Sequence, residues 1–414
     1  MYELLKEEMV KALGCTEPVS LALAAAEARK ILGCMPEKII IKCSGDIVKN
    51  VQSVVIPPTH DMRGIEVAAL LGCIAGKPEY GLEVLKDVKK TDLCLLEKML
   101  EREICTVEML KTEHDLHIIC IAQAGKHTVT VEIVDSHGNI VLATKDGNNI
   151  YRKDIENKES ENSSSELTLT FDDVYEFATT FKISELKYLL DMEIKCNNAI
   201  ALEGLKNDYG SCIGKHILKN SRGNIKEKVK AYAAAGSDAR MSGCCMPVVI
   251  NSGSGNQGML ILSTVYRYAK YAKVSKDTLY RALVLANLLG IWQKLGIGKL
   301  SAFCGAVNAA AASGAAISYM RGGTKKQIGD TLINVLASAG GMFCDGAKPS
   351  CALKIAITVD SAFIASDMAI DDHSFRSGNG IVKNGVDETV AGIANIARVW
   401  MKQTDEKILQ LMLK

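Results

Sequence analysis

A chain of 414 residues is long enough for two domains and a large core. Its 49 Lys and Arg nearly balance 48 Asp and Glu, so no net field draws it to nucleic acid or to an anionic membrane, and the expected partner is a small molecule. Fourteen cysteines, scattered through so long a chain without a framework pattern, are expected as reduced thiols and mostly as core residues, not as disulfides.

The opening "MYELLKEEMVKALGC" reads as a charged amphipathic helix, not a signal peptide, which places the protein in the cytoplasm. Helical apolar spacing runs from Tyr2 to Leu32 and breaks at Gly14 to Pro18, giving two helices around a "GCTEP" turn. "KIIIKC" (38–43) and the alternating "HTVTVEIV" (127–134) have strand character, and "DSHGN" turns the latter into "IVLAT" (140–144) as an antiparallel hairpin. Gly64 to Cys73 and Tyr80 to Val88 read as helices. The polar "ENKESENSSSE" (156–166) suits an exposed loop, followed by a short strand "LTLT" and a helix capped by Thr170. From there the pattern is helices separated by Gly-rich turns. The uncharged stretch Leu300 to Met320 has the length of a membrane span, but its Ala, Gly and Ser content with Asn308 suits a buried helix.

The expected fold class is therefore α+β: N-terminal helices over 1–35, a smaller α/β domain over 36–170, and a mainly helical catalytic domain over 171–414.

Chemistry concentrates where Gly-rich stretches meet helix ends. In "NSGSGNQG" (251–258) the glycines let backbone N–H groups converge on an anion, and Ser254, Asn256 and Gln257 add neutral hydrogen bonds; a tight turn is the other reading. It is neither a Walker loop nor a dinucleotide fingerprint. Cys304, before Gly305, and the pair Cys344 and Cys351 in "CDGAKPSC" offer three thiolates to one metal or cluster, with Gly305 and Gly346 leaving space for inorganic sulfide. The spacing does not suit zinc, whereas iron–sulfur clusters accept wide spacing. Plain core packing is the alternative for each of these thiols.

"GCTEP", "KAYAAAGSDARMSG", "NSGSGNQG", "SAFCGAVNAAAASGA" and "MFCDGAKPSCALKI" together resemble the L-cysteine desulfidase family, relatives of the iron–sulfur L-serine dehydratases, over essentially the whole chain. The resemblance implies a [4Fe-4S] cluster on Cys304, Cys344 and Cys351 with one iron left open. It also implies release of sulfide from L-cysteine without pyridoxal phosphate, giving pyruvate, ammonia and hydrogen sulfide. "GCTEP" is similar to the loop that lines the substrate site of the dehydratases, which brings Cys15, Thr16 and Glu17 to the cluster. The role of base falls on Cys15, as a thiolate whose pKa is lowered by a helix N-terminus or a cation, with Glu17 as the alternative base or a helix-cap carboxylate. Ser254, Asn256, Gln257 and Lys348 are expected to contact substrate, as are Asn50 in "VKN" and His60 in "PPTHD". No cysteine follows Cys351, so the tail has no thiol with which to occupy the open iron. An exposed iron implies sensitivity to oxygen.

L-Cysteine is thus the expected small-molecule partner, with no nucleic acid or membrane, in a chain for which a homodimer is admissible. L-Serine dehydration by the same chemistry is the neighbouring alternative. A non-enzymatic metal or redox sensor is the alternative from another class.

Overall fold

A computed structural model describes residues 1–153 and 169–413. The 156–166 stretch and the first half of "LTLT" lie outside the described residues. Eight strands are present among them: β1 (Lys11–Leu13), β2 (Lys38–Cys43), β3 (Cys105–Met109), β4 (His117–Ala124), β5 (His127–Val134), β6 (Ile140–Lys145), β7 (Asn148–Arg152) and β8 (Pro247–Val249). Six form one sheet in the order β3-β2-β4-β5-β6-β7. Only the β2–β3 pair is parallel; the remaining neighbours are antiparallel, including the expected β5–β6 hairpin.

Alternation along β2, β4 and β5 buries Ile39, Ile41 and Cys43, then Ile118, Cys120 and Ala122, then Val129, Val131 and Ile133 on one face. That face is covered by helices Thr16–Leu32 and Ile65–Ala75. The two helices touch closely, since a Cβ on Gly72 would lie 2.3 Å from Ala22 O. This contact anchors the helix whose first turn carries Thr16 and Glu17. The N-terminal region is not two helices around a turn: helix Tyr2–Glu8 packs into the helical core, and β1 stands between it and Thr16–Leu32. The expected helix at Tyr80 to Val88 is instead a 3-10 turn over Pro78–Glu83, broken at Gly81.

The second core is helical. Lys276–Ile297 and Gly305–Met320 are buried along most of their length and Cys351–Ile370 along one face, with helix Lys325–Ala339 packed beside the last two. Small residues make this packing close: Gly305–Met320 buries every residue from Val307 to Ser318. The Ala-rich stretch is thus a buried helix, and no helix of the described residues is long and apolar enough to cross a membrane. Thr170 caps Phe171–Thr180 as expected, in a reciprocal box with Asp173. The fold is α+β with a helical majority. The ribbon of β1 and β8, paired antiparallel from Lys11↔Val249 to Leu13↔Pro247, ties the first residues to the helical part.

Candidate active site

Between the two cores lies a cavity whose wall joins "GCTEP", "NSGSGNQG" and the loops carrying Cys304, Cys344 and Cys351. Each loop ends at a helix N-terminus. Cys15 is the N-cap of Thr16–Leu32, Ser254 that of Gly255–Ala272 and Cys304 that of Gly305–Met320. Three sets of converging N–H dipoles therefore border one space, an arrangement that favours negative charge.

Two of the thiols are set by a small piece of sheet geometry. Phe303 and Phe343 form an isolated antiparallel bridge, with Cys304 N donating to Met342 O at 3.1 Å and Cys344 N to Ala302 O at 2.5 Å. The pairing sets Cys304 and Cys344 diagonally across the bridge, and both line the cavity. Cys351 opens helix Cys351–Ile370 and lines the same cavity. Burial first and then the neighbouring Cys344 push the Cys304 thiol up to about 12, and burial raises that of Cys351. Diagonal neighbours across an antiparallel pair stand about 7 Å apart, whereas thiolates sharing one zinc at about 2.3 Å must approach to about 4 Å. In keeping with this, among the described residues no three His, Cys, Asp or Glu side chains close on a single ion. A donor set of three thiols spread around a cavity suits a multi-iron cluster better than one zinc ion.

Gly305 and Gly346 differ in their reasons. A Cβ on Gly305 would stand 3.1 Å from Gln257 Oε1, on the cavity side. Gly346 has φ 90°, and a Cβ there would lie 2.4 Å from Lys49 O. Its lack of a side chain serves the packing of the loop on helix Gly45–Val51, while its backbone lines the cavity.

Beside Cys351, which packs against the cluster holding Cys15, sits a buried dyad. Cys15 Sγ donates to Glu17 Oε2 at 2.8 Å, and Glu17 Oε1 accepts from Asn50 Nδ2 at 3.1 Å. Thr16 Oγ1 donates to Gly253 O at 2.7 Å, fastening the two loops together. Burial works against a charge on Glu17, but His137, with Nε2 at 3.6 Å from Oε1, and the Cys15 thiol outweigh it and hold its pKa at about 2. Burial first and the Glu17 charge second raise the Cys15 thiol well above its ordinary range. Both effects work against the expected thiolate, in keeping with Cys15 Sγ as the donor to Glu17.

Positive charge comes from residues that motif reading missed. Arg240, 2 % exposed, ends helix Ile225–Met241 and donates to Gly14 O at 2.7 Å and Asn256 Oδ1 at 2.5 Å. Its Nε has no partner among the described residues. Gly255 permits this placement, because a Cβ there would lie 2.2 Å from Arg240 Nη2. Lys294 is also buried against the cavity, donates to Lys299 O at 3.0 Å, and has its pKa lowered to about 8, chiefly by burial. Arg240 stood inside the quoted "GSDARMSG"; the signal available was a lone arginine in an otherwise small-residue helix end.

Of the sequence-predicted residues, Cys15, Thr16, Glu17, Asn50, Ser254, Asn256, Gln257, Cys304, Cys344 and Cys351 all line this cavity. His60 and Lys348 are not among the lining residues. His60 is exposed with φ 67° in a turn after Pro58, and Lys348 is paired within its own loop to Asp345 at 2.6 Å. The loop's other lysine partner, Lys354, faces the cavity in its place.

Comparison with known proteins gives a consistent family. The profile of the serine dehydratase alpha chain matches residues 79–410. A protein of Lachnoclostridium phytofermentans, named UPF0597 protein, is 43% identical over 413 residues, covering 100% of this chain and 99% of its own. Proteins of the same name from Treponema denticola and Bacteroides thetaiotaomicron are 42% and 37% identical, each covering 100% of this chain and 97% of their own length.

Proposed function

The chain belongs to the serine dehydratase alpha chain family, and from that premise we propose that it is an iron–sulfur-dependent lyase that eliminates the β-substituent of a small L-amino acid. L-Cysteine is the first substrate, giving pyruvate, ammonia and hydrogen sulfide. The observation that carries this reading is the meeting of three thiols, a carboxylate–thiol dyad and a buried arginine in one cavity. Cys304, Cys344 and Cys351 would hold a [4Fe-4S] cluster. When bound, it supplies an open iron as a Lewis acid toward the departing group or the carboxylate.

The protein's own residues do the rest. Arg240, with its free Nε, and Lys294 present positive charge to the substrate carboxylate. The Cα proton of an amino acid is weakly acidic, so its removal needs a base in contact and fixed charge around it. Glu17 takes the proton from Cys15, and the freed sulfur takes the proton from Cα. The charge of Arg240 favours that thiolate. The C–S bond then breaks, leaving aminoacrylate, which tautomerises to an imine and hydrolyses in water. Asn50 and His137 keep the Glu17 carboxylate in place through this exchange.

The family match favours one second reading, the same elimination on L-serine with loss of water. One experiment decides: sulfide and pyruvate are measured after L-cysteine or L-serine is given to anaerobically reconstituted protein. Sulfide and pyruvate in equal amounts from cysteine support the desulfidase; pyruvate from serine alone assigns the chain to dehydration. An intact cluster with no product from either amino acid rejects the lyase.

A further inference from the structure

A chain of four buried amide and carboxylate groups runs from the helical core to the cavity wall. Glu193, wholly buried, accepts from Asn287 Nδ2 at 3.2 and 3.1 Å. Asn287 Oδ1 accepts from Asn251 Nδ2 at 2.9 Å, and the backbone oxygen of Asn287 accepts from the same nitrogen at 3.1 Å. Asn251 Oδ1 accepts in turn from Gln257 Nε2 at 2.7 Å. All four residues are at most 1 % exposed.

An amide has one donor end and one acceptor end, so each link sets the orientation of the next. Burial raises the pKa of the Glu193 carboxyl at the start to about 8, and in either protonation state it offers an oxygen that accepts from Asn287. It turns the Asn287 nitrogen toward itself, aided by Leu283 O, which accepts from that nitrogen at 3.0 Å. The orientation passes through Asn251, and the sequence of donors ends with the Gln257 nitrogen turned inward. Its oxygen is consequently turned the other way, toward Gly305 at the cavity wall. There Gln257 Oε1 is buried and has no partner among the described residues. Gly290 leaves room for the turn: a Cβ on it would stand 3.2 Å from Asn251 Oδ1.

A buried acceptor without a donor is costly, and native structures keep few of them unless something supplies the missing hydrogen. The cavity already presents cations for a carboxylate, so the complementary need of an amino-acid substrate is an acceptor for its ammonium group. We propose that Gln257 is a specificity-determining residue whose Oε1 accepts from the substrate's α-ammonium, and that Glu193 is a positioning residue that fixes this orientation through Asn287 and Asn251. The proposal rests on the amino-acid lyase reading above.

The test uses reconstituted protein and two ligands that lack a leaving group, L-alanine and propionate, with binding measured by calorimetry. A hydrogen bond to a charged group distinguishes them by roughly 10- to 100-fold, so wild type should bind L-alanine tighter by about that factor. Gln257→Leu should bring the ratio near one, while Gln257→Glu, which keeps an acceptor, should retain it. Glu193→Leu should lower the ratio and raise KM for the amino acid more than it lowers kcat, and Glu193→Gln, which still offers an oxygen to Asn287, should restore both. Equal ratios in wild type and Gln257→Leu, with normal pyruvate release from amino acids, would overturn the proposal and leave the lyase standing. A ratio that depends on Gln257 in protein that turns over no amino acid would uphold the ammonium site and reject the lyase. If Glu193→Leu does not fold, the Gln257 pair alone decides the ammonium contact, and Glu193→Gln with an unchanged ratio against Asn251→Leu with a lost one decides the relay.

Discussion

Phe303 pairs with Phe343 across a single antiparallel bridge, and the residue after each is a cysteine facing the same cavity. Two hydrogen bonds thereby bring together thiols forty residues apart in sequence. Replacing Cys344 with Ser keeps this bridge, since both bonds use backbone atoms, but removes a soft ligand. The expected outcome is a folded protein with unchanged far-ultraviolet circular dichroism and far less iron and inorganic sulfide after reconstitution. A full cluster complement in Cys344→Ser would show that the ligand set is wrong.

The dyad predicts a split between two variants. Cys15→Ala should retain cluster absorbance and lose turnover by roughly 100-fold or more, the scale of a lost general base. Glu17→Gln should lose a similar factor while leaving Cys15 without its carboxylate acceptor. Alkylation of Cys15 should then proceed at lower pH, because the neighbouring negative charge that raises its pKa is gone. An unchanged rate in Cys15→Ala would remove the sulfur from the reaction.

Glu17 also writes a pH dependence into stability. Its pKa is depressed in the folded state to about 2 from an ordinary 4.5, so between those values the unfolded chain binds more protons. The contribution, on the order of 3 kcal/mol, is present above about pH 4.5 and lost as the pH falls toward 2. His137→Asn removes a principal partner and raises the folded pKa, so the contribution is smaller and its loss, which still begins near pH 4.5, is complete at a higher pH. Urea midpoints measured from pH 3 to 6 should fall more steeply for wild type below about pH 4.5, so that the gap to the variant narrows on the acid side; parallel curves would mean that His137 does not hold the carboxylate.

Gly346 gives a purely structural prediction. Its φ of 90° and the 2.4 Å approach that a Cβ would make to Lys49 O mean that Gly346→Ala must strain or displace the loop between Cys344 and Cys351. A cost of roughly 1–3 kcal/mol is expected. Thermal unfolding of apo protein should show it, together with weaker cluster retention. An unaltered transition with normal iron content would mean that the loop is free to adopt another path.

Much of this site was legible because its parts are short, unusual and local. A cysteine before a helix start, as at Cys15 and Cys304, or a run such as "NSGSGNQG", announces itself wherever it sits. Strands β2, β5 and β6 were equally plain from their apolar runs and alternation. What escaped were residues whose meaning comes from distant partners. Arg240 resembles any helix-ending arginine until Gly14 O and Asn256 are placed against it. His137 looked like a turn residue, and Glu193 like one charge on a long helix, because burial is decided by packing and not by neighbours in sequence. β3 and β7 were missed for a related reason: β7 is exposed throughout, and β3 is exposed at Thr106, Glu108 and Met109, which blurs the alternation that marks a half-buried strand; β4 alternates in the structure, but its "HIICIAQA" is apolar at nearly every position and hides the period. The thiolate expected at Cys15 meets the same influence, since full burial and a neighbouring carboxylate oppose what a helix N-terminus alone would do.

The β1–β8 ribbon also has a meaning during biosynthesis. Lys11–Leu13 waits for Pro247–Val249 before it has a partner, an interval of about 230 residues, or on the order of 10 to 50 s at ribosomal speed. Through that interval the emerging chain holds Cys15 and Glu17 next to a strand without its partner, and Cys304, Cys344 and Cys351 follow only later. Translation rate through the helical half is therefore a variable that sets how long the first strand stays open to capture by chaperones.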